Sequence, residues 1–349
     1  MRIAIVAPPW LPVPPPGYGG TEVVLDGLAR GLVDAGHEVL LIGHPDSKCA
    51  VKRLTIVPAE DAQPMGRAVS ELEHALGAYA AAADYDVISD HTTAGPVVAL
   101  TSPHPPVVAT NHNPFSRGRE AIYRRAVDRV ALVAISHSHA ATTDLKVSSV
   151  IHHGIDVASF PVGSGEGGYL ATLTRMTHDK GVHRAAALAH AAGVPLRIAA
   201  KVRTTREHEY FDECVRPLLT GDVEFIGEVD AAGKRELLGG AIGLLNPTEW
   251  AEPFGMTMIE ALACGTPVIG TARGSAPEIV DHGTTGFLGD SDEDLLAGIA
   301  GAADLDRAAC RQVAEQRFSY TVMSSNYVNA YEREMIHATP TTTTASAWR

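Results

Sequence analysis

The sequence has few aromatic residues, few basic residues relative to acidic ones, and no long apolar run. Phe, Trp and Tyr make up 5% of its residues, and 28 Lys and Arg stand against 41 Asp and Glu. Proteins that bind nucleic acid depend on Lys and Arg at the phosphates, so a general nucleic-acid binder is not expected. The 45% apolar and 20% charged residues are typical of a globular protein.

Cysteine is scarce as well. The four cysteines are scattered without a CxxC pair, which argues against a disulfide framework or a zinc knuckle and fits a reducing compartment. No apolar stretch approaches the ~20 residues that a bilayer-spanning helix needs. Pro interrupts the apolar start "MRIAIVAPPW" too early for a secretory signal. We therefore expect a cytoplasmic protein.

Short apolar runs alternate with amphipathic stretches along the chain. Runs such as "RIAIVA", "LTIVPA" and "PVIGTA" predict strands of a parallel sheet that is buried on both faces. The series breaks at the Gly- and Ser-rich residues 152–168 and then restarts. This organisation predicts an α/β fold of two doubly wound, Rossmann-like domains that face each other across a cleft.

The domain boundaries follow from the same pattern. We place the first domain at residues 1–158 and the second at residues 159–318. The stretch "TVMSSNYVNAYEREMI" predicts a closing helix at residues 319–336, and the low-complexity end predicts a disordered tail at residues 337–349. Because ligands bind at the carboxyl ends of the strands in such domains, the functional site is expected in the cleft.

A glycine-rich loop, "PPPGYGGTE", follows the first strand. Gly17, Gly19 and Gly20 would let the backbone approach a ligand, and a helix with Thr21 as its N-cap would point its positive end there. A dinucleotide fingerprint fails, because Glu22 stands where its third glycine is needed. A ligand-binding loop and a simple tight turn are both consistent with the pattern.

The segment "LTRMTHDKG" places Arg175 and Lys180 directly after the first strand of the second domain. The planar fork of Arg175 can bind a diphosphate, and Lys180 would add a compact charge. The position at a strand's carboxyl end favours ligand binding. Two solvated surface cations are the alternative.

The segment "TEWAEPFGMTMIEALACGTPVIG" predicts a helix with an open N-terminus. Pro253 and Gly255 disfavour helix, so the helix should begin near Met256 or Thr257, with Glu252 in the preceding loop. The free N–H groups of residues 255–257 would then bind an anion without a side-chain charge.

Glu260 falls about one turn inside that helix, among apolar neighbours. A carboxylate in such surroundings needs a partner, and the vicinal hydroxyls of a ribose would provide one. Glu252, beside the anion site, could hold a second sugar. An anion between two polyols predicts a nucleotide-diphosphate sugar as the ligand.

The motifs "EWAEPFGMTMIEALACGTPVIGT", "RMTHDKG", "FIGEV", "GGTE" and "HGIDVASF" together resemble the family 4 retaining glycosyltransferases, and the resemblance covers nearly the whole chain. It implies a GT-B type fold and the transfer of a sugar from a nucleotide-diphosphate sugar to an acceptor hydroxyl, with retention at the anomeric carbon. It implies no cofactor, and a small-molecule, glycan or lipid-linked acceptor that binds mainly to the first domain.

The resemblance also implies roles for residues of the donor site. Arg175 and Lys180, together with the backbone of Gly255, Met256 and Thr257, would hold the donor diphosphate. Glu260 would bind the ribose, and Glu252 would contact the donor sugar as a catalytic residue.

The resemblance extends these roles to the rest of the cleft. His112 in "TNHNPFS" matches the family's histidine near the sugar and is the second catalytic candidate. The backbone around Ile226 and Gly227 in "FIGEV" would lie beside the nucleobase. Gly19 and Gly20 would close over the phosphates or the acceptor side.

We expect the reaction to proceed without a metal ion. The cations and the helix opening supply the charge stabilisation that a leaving diphosphate needs, and no DxD-like pair adjoins the proposed site. Three departures from the family pattern touch no charged donor contact: Thr174 replaces Gly, Thr248 replaces Ser, and His153 replaces a frequent Asn.

Other functions of this fold are open at this point. A retaining glycosidase holds its two carboxylates ~5 Å apart, whereas eight helical positions would separate Glu252 from Glu260 by ~12 Å. A nucleotide-sugar epimerase and a non-catalytic nucleotide-sugar-binding module remain as alternatives.

Residues 117–129 are locally basic, with five arginines. A basic amphipathic helix can dock on anionic lipid. The apolar stripe Ile122, Ala126 and Val130 favours the other interpretation, a helix that packs on the core beneath a solvated face.

Overall fold

The computed structural model describes residues 1–17, 19–59, 65–101 and 103–338. Tyr18 of the glycine-rich loop and residues 339–349 of the predicted tail lie outside these ranges. Two parallel sheets, one of seven strands and one of six, confirm the predicted α/β fold. No helix within the described ranges combines the length and the apolar character that crossing a membrane requires.

The first domain is built on the seven-stranded sheet. Its strands are β1 (Arg2–Val6), β2 (Glu38–Ile42), β3 (Lys52–Leu54), β4 (Val87–Asp90), β5 (Val107–Thr110), β6 (Ala131–Ala134) and β7 (Ser149–Val150). They lie in the order β3-β2-β1-β4-β5-β6-β7, and every pair is parallel.

Helices cover both faces of this sheet. They are α1 (Gly20–Asp34), α2 (Ala68–Ala81), α3 (Gly95–Val98), α4 (Arg117–Ala126) and α5 (His137–Ala140). Side chains alternate along a strand, so Ile3 and Ile5 pack beneath α1, while Ala4 and Val6 pack beneath α2, α3 and α4. This burial on both faces explains why the strands are apolar throughout.

The second domain repeats this plan. Its strands are β8 (Leu170–Arg175), β9 (Leu196–Lys201), β10 (Val223–Gly227), β11 (Gly243–Asn246), β12 (Val268–Gly270) and β13 (Gly286–Leu288). They lie in the order β10-β9-β8-β11-β12-β13 and are also parallel. Its helices are α6 (Val182–Ala192), α7 (Thr205–Tyr210), α8 (Ala231–Gly240), α9 (Met256–Ala263), α10 (Ala276–Ile279), α11 (Asp292–Gly301) and α12 (Arg307–Phe318).

The chain crosses between the domains twice, and the two crossings are hydrogen-bonded to each other. Ile155 lies in the first crossing, and Phe318 and Tyr320 lie at the second. The N–H of Ile155 donates to the carbonyl of Phe318, and the N–H of Tyr320 donates to the carbonyl of Ile155, both at 2.9 Å. The last helix, α13 (Tyr320–Ala338), returns to the first domain. There it packs on α1 and buries Tyr327 and Tyr331 in the first-domain core.

Two local predictions were wrong, and two edge strands were missed. The strand predicted at "LTIVPA" lies earlier, at Lys52–Leu54, because Ile56 instead packs on Gly77 of α2. Helix α1 begins at Gly20 with Gly19 as its N-cap, so Thr21 is not the cap. The edge strands β7 and β13 were not predicted, since two or three residues carry too little pattern.

Candidate active site

Helix α9 begins without a side-chain cap. Gly255 is its N-cap and Met256 its first residue, as the sequence predicts. The N–H groups of Gly255, Met256 and Thr257 are paired with no backbone acceptor in the described part of the chain. A Cβ on Gly255 would lie 2.0 Å from Cε of Met258, the end of a flexible side chain that would have to shift. The helix opening is therefore free to bind an anion.

Lys180 lies beside this opening and is buried, with 8% of its surface exposed. Its Nζ forms an ion pair with Oε1 of Glu252 and stands 5.2 Å from the ring centre of Trp250. A cation over an indole face is stabilised by the ring quadrupole. Lys180 is therefore not a solvated surface cation, which was one of the two interpretations of its segment.

Backbone contacts hold the loop of Lys180 against the loop of Glu252. The carbonyl of Asp179 accepts hydrogen bonds from the N–H of Glu249 at 2.8 Å and from Oγ1 of Thr248 at 2.9 Å. Gly181 has a φ of +66°, and a Cβ there would lie 2.3 Å from the carbonyl oxygen of Pro247. The approach of the two loops thus requires glycine at this position.

Glu260 is buried one turn inside α9, with 5% of its surface exposed. Nζ of Lys234 in α8 donates to its Oε1 at 2.6 Å. The partner that a buried carboxylate needs is therefore Lys234 of α8. A carboxylate has about four lone-pair sites, so Glu260 retains capacity to accept hydrogen bonds from hydroxyls.

The remaining donor-side candidates lie along one edge of the second sheet. Arg175 ends β8, pairs in register with Lys201 of β9, and is exposed. Ile226 and Gly227 end β10, where the strand carries an irregularity and Gly227 has a φ of +83°. Parallel strands bring these carboxyl ends to the same side as the α9 opening.

The first domain contacts the α9 opening directly. A Cβ on Gly20 would lie 3.9 Å from Cγ of Met256, and Oγ of Ser136 donates to the carbonyl of Pro253 at 2.7 Å. A Cβ on Gly19 would lie 2.8 Å from Oε2 of Glu22. Gly20 therefore lies where the two domains meet beside α9, whereas Gly19 is packed against residues of its own domain.

A carboxylate of α10 ties the two domains together. Glu278 accepts hydrogen bonds from the N–H groups of His137 and Ser138 at the start of α5, at 2.8 and 2.6 Å, and from Nε2 of His152 at 2.8 Å. Burial raises the pKa of Glu278, but the bonds from His152 and the two N–H groups outweigh burial, so its pKa is lowered. Glu278 therefore stays ionised in this contact.

His112 follows β5 and belongs to a chain of histidines. Nδ1 of His91 lies 2.8 Å from Nε2 of His112, and Nδ1 of His112 lies 3.4 Å from Nε2 of His153. The chain continues inward, since Nε2 of His91 lies 3.0 Å from Oγ of Ser89, which accepts the hydroxyl of Tyr331 at 2.7 Å. Both ring nitrogens of His112 are thus occupied by other histidines.

These histidines are neutral. Burial, with a smaller contribution from His139, lowers the pKa of His112 to about 3. Burial also depresses the pKa of His91 and of His153 well below the ordinary value, and the neighbouring histidines add to the effect. The ring of His153 packs edge-on against Phe254, with centroids 5.0 Å apart. The histidine chain therefore ends at the loop that leads into α9.

Sequence reasoning missed several residues that the structure brings to this cleft. His91 follows β4 as His112 follows β5, and Lys234 follows β10 at the start of a helix, as Lys180 follows β8. The repeated placement of polar residues directly after strands was the sequence signal that could have identified His91 and Lys234. His153 and Glu278 had no comparable signal, because their partners lie more than 40 residues away.

Comparison with known proteins matches each half of the chain to a family model. Residues 18–159 match the model described as Glycosyltransferase Family 4, and residues 163–317 match Glycosyl transferases group 1. The phosphatidyl-myo-inositol mannosyltransferase of Mycolicibacterium smegmatis is 25% identical, covering 95% of this chain and 94% of that protein. The D-inositol 3-phosphate glycosyltransferase of Pseudarthrobacter chlorophenolicus is also 25% identical, covering 97% and 98%.

Solved structures share the whole architecture. A glycosyltransferase involved in avilamycin A biosynthesis superposes with a TM-score of 0.73 at 27% identity, covering 97% of this chain and 98% of that one. Anabaena HepE, in complex with UDP and glucose, superposes with a TM-score of 0.72 at 20% identity, covering 95% and 99%. With two facing Rossmann-like domains of the GT-B type and both halves matched, the chain belongs to the family 4 glycosyltransferases.

Proposed function

We propose that this glycosyltransferase moves a sugar from a nucleotide-diphosphate sugar to an acceptor hydroxyl, with retention of anomeric configuration and without a metal ion. The observation that carries the proposal is the uncapped opening of α9 between two lysine–glutamate pairs, Lys180–Glu252 and Lys234–Glu260. A ligand with a central anionic group and a polyol on either side fits this order of sites.

The donor diphosphate would bind to the N–H groups of Gly255, Met256 and Thr257. Lys180 would turn from Glu252 to the phosphates, and the exposed Arg175 would add a second cation. Because these donors are held in place before the reaction, they can stabilise the charge that develops on the leaving diphosphate. The protein's own cations would thus replace a metal ion.

Once Lys180 turned from Glu252 to the phosphates, Glu252 would be free to accept hydrogen bonds from hydroxyls of the donor sugar. Glu260, oriented by Lys234, would hold the ribose, and the backbone at Ile226 and Gly227 would lie beside the base. The complex of Anabaena HepE with UDP and glucose supports a nucleotide-sugar donor.

Retention is explained most simply if the acceptor oxygen attacks the anomeric carbon from the face on which the diphosphate leaves. The bond from the anomeric carbon to the diphosphate breaks, the acceptor oxygen forms the new bond, and the acceptor proton passes to the leaving phosphate. We assign no protein nucleophile. Since both ring nitrogens of His112 contact histidines, the geometry favours a place in the histidine chain over a ring contact with a sugar hydroxyl.

The acceptor is proposed to bind on the first-domain side of the cleft. The names of two relatives contain an inositol lipid and an inositol phosphate, which supports a hydroxyl-bearing small molecule or lipid as the acceptor class. A cytoplasmic location and the absence of a cofactor belong to the same proposal.

The test is the release of nucleoside diphosphate from UDP-, GDP-, ADP- and dTDP-sugars, with and without acceptors and in the presence of a chelator. We expect release from one donor, stimulated by acceptor and unaffected by chelator, and a product of retained anomeric configuration by NMR. Saturable binding without release would indicate a binding module. Conversion of the sugar without release would indicate an epimerase, and loss of activity in chelator would contradict metal independence.

A further inference from the structure

A turn of the first domain lies against the loop that opens α9. Strand β6 ends at Ala134, and Ser136 is the N-cap of the short helix α5. Ser136 is fully buried. Its Oγ accepts the N–H of His139 at 2.9 Å, as is typical of a helix cap. Because a hydroxyl can accept and donate at once, the cap leaves the proton of Ser136 for another partner.

That proton is donated to the second domain. Oγ of Ser136 donates to the carbonyl of Pro253 at 2.7 Å, the usual length of an O–H···O bond. Pro253 stands two residues before Gly255, the N-cap of α9. Because a peptide unit is planar, the bond that holds this carbonyl also fixes the N–H of Phe254. The first domain thus sets the direction of the backbone that enters α9.

The ring of Phe254 anchors the same loop on its other side. It is buried, with 6% of the residue exposed. Its centroid lies 5.0 Å from that of His153, 5.7 Å from that of His152 and 6.2 Å from that of Phe318, which are residues of the interdomain crossings. The loop before the α9 N-cap is therefore held by its carbonyl and by its ring.

A second contact keeps the turn of Ser136 in place. Glu278 of α10 accepts the N–H groups of His137 and Ser138 at 2.8 and 2.6 Å. These two residues directly follow Ser136 in the chain. The second domain therefore holds the turn through α10 at the point where the hydroxyl of Ser136 meets the carbonyl of Pro253.

Fixing this loop matters for an anion site made of backbone. N–H groups stabilise an anion best when they already point toward it before binding. A loop that is free to rotate must instead be ordered when the ligand binds, at a cost in conformational entropy. The bond from Ser136 removes part of that cost in advance.

We propose that Ser136 is a positioning residue for the donor diphosphate. Its hydroxyl holds the backbone that leads to Gly255, Met256 and Thr257, so a residue of the first domain completes a binding site on the second. Because Ser136 is fully buried, it acts through the carbonyl of Pro253 and not by touching the ligand. The proposal rests on the proposed function, since it takes the opening of α9 as the diphosphate site.

Calorimetric titration of Ser136→Ala with UDP, GDP, ADP and dTDP, and with the four corresponding nucleosides, tests the proposal. The substitution deprives the carbonyl of Pro253 of this donor, so we expect the Kd of the tightest-binding diphosphate to rise about tenfold. The nucleoside has no phosphates, and its Kd should not change. A general loss of structure would weaken both ligands, so the split between them identifies a positioning role.

A second variant and two controls make the result specific. Ser136→Cys keeps the shape of the side chain but has only a weak S–H donor, and it should show the same split to a smaller extent. Ser116→Ala removes the capping side chain of α4, and Ser324→Ala removes a buried hydroxyl that donates within α13. Both controls should bind the diphosphate as the unmodified protein does.

Lys180→Ala, titrated in parallel, separates this proposal from the proposed function. If Lys180→Ala weakened diphosphate binding and neither Ser136 variant did, the donor site would stand and the positioning role would be wrong. Equal losses of diphosphate and nucleoside affinity in the Ser136 variants would also overturn that role. If no variant at either position changed the affinity for a diphosphate that binds, the donor site at α9 would fail as well.

Discussion

The two sides of the cleft manage buried polar groups in opposite ways. On the second-domain side, each buried charged group is paired with an opposite charge, as buried Lys180 is with Glu252 and buried Glu260 with Lys234. On the first-domain side, the buried polar groups around His112 are neutral imidazoles that hydrogen-bond to one another. The second-domain side therefore retains charged groups, whereas the histidines around His112 are uncharged.

The difference corresponds to what each side would handle in glycosyl transfer. A departing diphosphate is an anion, and fixed cations and N–H dipoles stabilise it. An acceptor hydroxyl is neutral, and a buried charge beside it would bear a desolvation cost without a matching benefit. We therefore expect the second-domain side to depend on its charged pairs and the cluster around His112 to depend on remaining uncharged.

The largest effect is expected from Lys180→Ala. The substitution removes the buried cation beside the α9 opening and leaves Glu252 without its partner. We expect kcat/KM for the donor to fall roughly 10²- to 10³-fold, the cost of one preorganised charge-stabilising donor. Steady-state kinetics measure it, with the exposed Lys48 replaced by Ala as the control. Activity within twofold of the unmodified enzyme (about 0.4 kcal/mol) would remove Lys180 from the donor site.

Glu260→Gln should weaken donor binding. The amide loses the charge-assisted bond to Lys234 and binds ribose hydroxyls less well, so we expect the Kd for nucleoside diphosphate to rise roughly 10- to 100-fold. Calorimetric titration measures the change. The exposed Glu236 on the same helix as Lys234 provides the matched control, Glu236→Gln. If both variants bound nucleotide equally well, Glu260 would not contact it.

Glu278→Ala should loosen the contact between the two sides. It leaves the N-terminus of α5 and the ring of His152 without their acceptor, which costs about 1–3 kcal/mol. Denaturant unfolding measures the loss. Glu315→Ala, which removes the exposed carboxylate that pairs with Arg311, should cost under about 1 kcal/mol. Equal losses would show that Glu278 is no more than a surface carboxylate.

Acid should destabilise the histidine side. The folded pKa values of His91, His112 and His153 lie below the ordinary histidine value, so the unfolded chain binds more protons as pH falls. Their contribution to stability is present above about pH 6.5 and is lost below it. We expect the melting temperature to fall from about pH 7 to about pH 5, with a weaker dependence in His153→Asn. A flat profile in the unmodified protein would contradict this account.

The sequence predicted the opening of α9 better than the histidine chain, and the reason is local. Gly255, Met256 and Glu260 lie in one segment, and Pro253 with Gly255 determines where α9 begins. The histidine chain joins residues that follow β4 and β5 to a residue of the interdomain crossing, so its contacts depend on tertiary packing. The Gly- and Ser-rich residues 152–168 indicated only a break between the two series of strands, and no role in the cleft was predicted for their histidines.

The charge partners escaped prediction for a similar reason. Glu260 sits among apolar residues, and the need for a partner was clear, but the partner Lys234 lies 26 residues earlier on another helix. Glu252 and Lys180 were predicted to share a site without being paired to each other. The edge strands β7 and β13 are two and three residues long. They are too short for a hydrophobic period to be recognised in the sequence.

The most direct test of the account is a crystal structure with the nucleoside diphosphate that raises the melting temperature most. We predict that its phosphates lie against the N–H groups of Gly255, Met256 and Thr257 within hydrogen-bond distance of Lys180, with the ribose on Glu260. A nucleotide bound away from α9, with Lys180 still paired to Glu252, would contradict the assignment of the donor site.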